Sequence, residues 1–137
     1  MSRSKRSKAR EITMQMLFQM ELQGDFSLDA RDLFLVRYLE DDSQITFIYK
    51  AYQTVSDNLD SIDNLLDKCS DNWKTSRMPK VDLTILRLAA AEIKFFEDVP
   101  TSVSANEAVD LAKLYGGEES SKFINGVLGK LIEYCAK

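Results

Sequence analysis

Five cations stand within residues 3–10, Arg3, Lys5, Arg6, Lys8 and Arg10, with no acid among them. If the end of this run is helical, Arg6 and Arg10 share a face at i, i+4, while Lys5 and Lys8 lie to one side. That is a comb able to meet successive phosphates. Arginine-rich segments bind RNA through charge and guanidinium stacking, often ordering as they bind. The same composition suits a frayed, solvated terminus, so both readings stay open. A second candidate is Lys122-Phe123, preceded by Ser120 and Ser121. An aromatic ring beside a base can stack an unpaired nucleobase, and Phe123 fits equally well as the start of an apolar helical stripe.

The chain contains no histidine. This removes the commonest general base, the Ser–His and Cys–His nucleophile pairs, and every His-ligated metal site. Cys69 and Cys135 are too far apart in sequence to form a zinc motif. With no export signal they are expected to stay reduced, without a disulfide. Neither a GxGxxG nor a GxxxxGK[ST] phosphate loop is present, and Gly116-Gly117 lacks the spacing that would follow. The adjacent acids Glu118-Glu119 and Asp41-Asp42 read as solvated surface or helix-start charge. The expectation is a protein that is not an enzyme, with no cofactor and no metal.

The elements that must position these residues all read at helical period, and no run alternates as a strand would. A first helix is predicted from Ser7 through Ile12, Leu17, Phe18 and Leu22, ending at Gly24-Asp25. Ser27 or Asp29 caps a short second helix, and Glu40-Asp41-Asp42-Ser43 breaks the pattern. Helices follow through Ile45–Tyr52 and from Asp57 to about Cys69, before a connection over residues 70–80 that carries Trp73, read as a core plug. Pro79 suits a first turn, and Val81–Phe96 is apolar on nearly all sides, so that helix should be central. Asp98-Val99-Pro100 ends it. Ser104 with Glu107 reads as a capping box for the next helix, which Gly116-Gly117 stops. The last helix starts near residues 118–121 and buries Phe123, Val127, Leu128, Leu131 and Cys135, with Gly126 marking a close helix approach. The class is all-α, with about seven helices.

The length of 137 residues fits one domain over residues 1–137. No window approaches the ~20 apolar residues of a membrane span, and the reading is a cytoplasmic protein with no membrane contact. The formal charge of −4 averages two unlike regions, because outside the five leading cations the chain carries 13 bases against 22 acids. An acidic body repels nucleic acid broadly, whereas a local basic cluster can hold phosphates within a Debye length of about 10 Å.

Several stretches taken together resemble the NusB family. They are Arg10-Glu11 with Leu17-Phe18-Gln19, Val81–Ala89 reaching Glu92, Val99-Pro100, Asn106–Lys113, and Lys122–Leu128, in this order along nearly the whole chain. The resemblance implies an all-α fold of two packed helical bundles and a non-catalytic role in transcription antitermination. It implies binding of boxA-type single-stranded RNA together with the ribosomal protein NusE, within an RNA polymerase antitermination complex, mainly in ribosomal RNA transcription. The family's RNA-binding residues map onto Lys5, Arg6, Lys8, Arg10, Glu119, Lys122 and Phe123. Its partner-binding face maps onto Phe18, Leu22 and the exposed start of the central helix around Asp82. Self-association in some members leaves a homodimer open. Two alternatives stand beside this reading. One is the NusB-like domain of ribosomal RNA cytosine methyltransferases, disfavoured by the short chain; the other is a helical protein-interaction or dimerisation module whose basic end is incidental.

Overall fold

The computed structural model describes residues 3–71 and 73–136. Among them are six α-helices: α1 (Lys5–Gln23), α2 (Leu28–Tyr38), α3 (Ile45–Asp57), α4 (Leu59–Cys69), α5 (Lys80–Phe95) and α6 (Thr101–Cys135), with one 3-10 turn at Thr75–Arg77. Helix α1 starts two residues before Ser7 because the Ser4 hydroxyl accepts the Ser7 N–H at 3.0 Å. Ala9, Thr13, Met16, Leu17 and Met20 form its buried face at i, i+4, i+7, i+8 and i+11. It stops at Gly24, whose φ of 65° is the left-handed cap that glycine adopts without a Cβ penalty. Ser27 caps α2 through the Ala30 N–H at 3.1 Å.

Every residue of α5 from Asp82 to Ile93 is buried, and the helix packs against α1, α3, α4 and α6. It is the shared wall of two bundles, α1–α3 on one side and α4 with α6 on the other. Fully burying one Leu or Ile side chain stabilises by about 1.5–3 kcal/mol, so the run Leu83, Ile85, Leu86 and Leu88 anchors both bundles at once.

Helix α6 holds what the sequence presents as two helices. Gly117 interrupts it with φ 82° and ψ −167°, a conformation essentially confined to glycine. Residues 101–116 and 118–135 are thus two helical rods joined at a bend, which is why six helices stand where about seven were expected. The helix begins at Thr101, directly after Pro100. Ser104 and Glu107 therefore lie inside its first two turns, and their side chains make tertiary bonds instead of a capping box. Gly126 marks no close approach, since a Cβ placed there meets nothing within 4 Å. Cys69 and Cys135 are free thiols. No described helix is long and apolar enough to cross a membrane.

Candidate nucleic-acid interface

The predicted comb divides along the helix that carries it. Lys5 and Lys8 are exposed on the first turns of α1. Arg6 is exposed but held: its Nε donates to Gln44 Oε1 at 2.5 Å, and its guanidinium lies 4.5 Å from the centroid of the Phe47 ring. Arg10 departs from the expected phosphate-facing role, because its residue is only 4% exposed. Its Nε donates to Glu92 Oε2 at 2.9 Å and its Nη2 to Glu92 Oε1 at 2.8 Å, a bidentate pair. Ser104 Oγ donates to the same Glu92 Oε1 at 2.9 Å, and Glu107 Oε1 lies 3.4 Å from Arg10 Nη1. This buried cluster clamps α1 to α5 and α6. Arg6 and Arg10 do share a face, as the i, i+4 spacing requires, and both guanidinium groups approach Phe47, Arg10 at 5.2 Å.

The second candidate becomes a groove of about 630 Å³ beside the start of α5, lined by Trp73, Val81, Tyr115, Glu119 and Phe123, among others. Trp73 is no core plug. It is 44% exposed, and its ring sits 5.4 Å from that of Phe123 at an interplanar angle of 59°. Phe123 is half-buried and packs against the core from its edge. The bend at Gly117 makes this arrangement. It folds residue 120 back so closely that a Cβ on Gly116 would meet the Ser120 side chain at 2.5 Å, and it lets Ser120 Oγ donate to Asp82 Oδ1. Asp82, expected at an exposed helix start, is 4% exposed. Its carboxylate lies in the first turn of α5, where the helix dipole favours negative charge.

Tyr115 joins the two regions. Its hydroxyl donates to Glu11 Oε2 and accepts from Gln15 Nε2 at 2.6 Å, so it ties the groove to α1. Glu11 also pairs with Arg3. Burial pushes the Tyr115 hydroxyl above its ordinary pKa, and the Glu11 carboxylate adds to that. At the other end of α1, Arg87 donates to Asp63 at 2.9 and 2.7 Å and to Glu21 Oε1 at 2.6 Å, binding α1, α4 and α5 together. Burial raises the Glu21 carboxyl, yet Arg87 and Lys80 hold it net below its ordinary value.

The profile of the NusB family matches residues 7–133. The chain belongs to the NusB family. It is similar to the transcription antitermination protein NusB of Alkaliphilus oremlandii, 41% identical over 93% of each chain. A second relative, NusB of Listeria monocytogenes, is 43% identical over 93% of this chain and 95% of its own. A solved structure of T. maritima NusB has a TM-score of 0.86 and 31% identity, covering 99% of this chain and 96% of that one. These likenesses span both bundles, so the comb and the groove both fall within the NusB fold.

On this NusB scaffold the expected residues other than buried Arg10 and Asp82 separate into three groups. Glu119 and Phe123 line the groove, and exposed Lys122 is the neighbour of Phe123 on the same helix. Lys5, Arg6 and Lys8 stand at the head of α1, beside the connection that leads into α3. Phe18, half-buried, and Leu22, 60% exposed, lie toward the far end of α1. Sequence reasoning missed Tyr115 and misread Trp73. The available signal was an aromatic residue directly before Gly116-Gly117 and another in a polar connection, where a side chain has little core to join.

Proposed function

We propose that this NusB-family protein binds boxA-type single-stranded RNA together with the ribosomal protein NusE, and through that complex acts on transcribing RNA polymerase, mainly on ribosomal RNA genes. It acts by binding and not by catalysis, in the cytoplasm, as one RNA-binding domain. The observation that carries the reading is exposed Trp73 packed on half-buried Phe123, with their groove tied through Tyr115 and Glu11 to the helix that bears Lys5 and Lys8. Single-stranded RNA offers splayed bases and a chain of phosphates. Each base stacked on an aromatic ring is worth about 1–3 kcal/mol, and the two lysines supply the phosphate contacts. At the rim Lys122 can meet phosphates or base-edge acceptors, and Glu119 can accept from base-edge amino groups. Arg10 supports this surface from beneath. The acidic remainder of the chain keeps phosphate attraction local, which favours a weak RNA complex that a protein partner completes. Exposed Leu22, with Phe18 beside it, offers that partner an apolar contact. Its relatives carry the name transcription antitermination protein.

The test is equilibrium binding of the purified chain to a short boxA-type RNA and a scrambled strand, with and without NusE, at several salt concentrations. The expected result is preference for the boxA-type strand, strengthened by NusE. Equal binding of both strands, or none, would leave a helical interaction module as the better account. The exposed Leu33 and Val36 on the outer face of α2, Val36 at 85%, are the observation that favours this second reading.

A further inference from the structure

The connection between α2 and α3 faces the comb with charge of the opposite sign. Asp41 Oδ1 accepts the Ser43 N–H at 2.9 Å, a local turn that fixes the carboxylate. Its other oxygen, Oδ2, points to Lys5 Nζ at 4.0 Å. Lys5, Lys8, Glu40, Asp41 and Gln44 together line a cleft of about 180 Å³. Gln44, at the end of the same connection, holds Arg6. Lys5 and Arg6 therefore contact the segment 40–47, and Lys8 lines the same cleft. The Asp41 carboxyl is kept below its ordinary pKa, first by the Ser43 backbone N–H and then by the Ser43 side chain, with Lys5 and Lys8 adding to the effect.

We propose that Asp41, presented by the α2–α3 connection, is a built-in competitor for RNA phosphate at Lys5 and Lys8, and so sets the affinity threshold of this surface. The inference rests on the RNA-binding reading above. A strand that offers phosphates alone must displace an ion pair already in place. One that also fills the aromatic groove has stacking energy to offset the displacement. Phosphates carry no sequence information, so the competition weakens matched and unmatched strands alike and leaves the weakest unbound.

Asp41→Asn tests this directly, because asparagine retains an oxygen to accept the Ser43 N–H and the turn is preserved. Affinity for a boxA-type RNA and for its scrambled counterpart should rise by the same factor, about two- to fivefold at low salt, the range of an exposed ion pair. The plot of log affinity against log salt should steepen by about 0.7 for each phosphate gained. Asp60→Asn makes the same change in net charge on an exposed position of α4 and should leave affinity as it was. In a Lys5→Ala/Lys8→Ala background the gain should vanish. Unchanged affinity in Asp41→Asn, an equal gain in Asp60→Asn, or a gain that survives loss of both lysines would each overturn the inference. Absence of RNA binding by the unmodified chain at every salt concentration would overturn the functional reading itself, a result distinct from any of these.

Discussion

The first two turns of α1 and the groove at the head of α5 are joined through Tyr115, yet they hold their functional groups in opposite ways. Lys5 and Lys8 project into solvent, and their one ion pair among the described residues, Lys5 with Asp41 at 4.0 Å, is exposed. Such pairs contribute about 0–1 kcal/mol. The groove instead depends on buried bonds and on backbone shape: Asp82 receives Ser120, Gly117 bends α6, and Trp73 is brought to Phe123 from a different part of the chain. A helix end can present charge from composition alone. A stacking surface needs several separated segments to converge, and its rigidity comes from the core behind it. Arg10 belongs to the first region by sequence, but the structure withdraws it into a buried cluster with Glu92, Ser104 and Glu107.

Arg10 is accordingly where the comparison breaks with the largest effect. Arg10→Ala leaves Glu92 buried without its cation, a loss of about 3–5 kcal/mol of stability, and a thermal scan should show the midpoint lower by about 10 °C or more. Arg10→Lys should recover only part, because an ammonium group cannot make two parallel bonds to one carboxylate. A melting curve close to that of the unmodified chain would return Arg10 to the solvent-facing comb. The groove comes next. Phe123→Ala should cost about 1–3 kcal/mol of RNA affinity while the salt dependence stays the same, since stacking releases no counterions. Trp73→Ala, at a more exposed position, checks that the loss does not come from unfolding. Full affinity in both variants would place all recognition on the cations. Lys8→Ala sharpens the contrast with the smallest effect. It should cost less than about 1 kcal/mol at physiological salt and flatten the log–log salt plot by about 0.7. A loss that ignores salt would mean that Lys8 packs and does not pair.

Much of the helical plan was legible from local pattern. Gly24 ends α1 as read, Ser27 is the one of the two candidates that caps α2, and the all-apolar run after Pro79 is the central helix, because periodicity and capping are decided within a few residues of chain. The polar residues were less legible. Ser104 and Glu107 carry the spacing of a capping box, but α6 begins three residues before Ser104, and both side chains turn to a cluster built around Arg10. Asp82 looked exposed at a helix start and is covered by a serine 38 positions further on. Trp73, large and apolar, looked like core and stands at the surface, packed against the half-buried ring of Phe123.

By itself, then, the amino-acid sequence determined the all-α class, the central helix, the absence of histidine chemistry and a cluster of cations at one end, since each of these follows from composition or short-range spacing. Only the tertiary structure decided which of those cations face solvent. Arg10 is withdrawn by a carboxylate 82 positions away, and Lys5 and Lys8 stay exposed, lining a cleft with the α2–α3 connection. A buried ion pair and a stacking groove both depend on which separated segments meet, and that is settled by packing around α5.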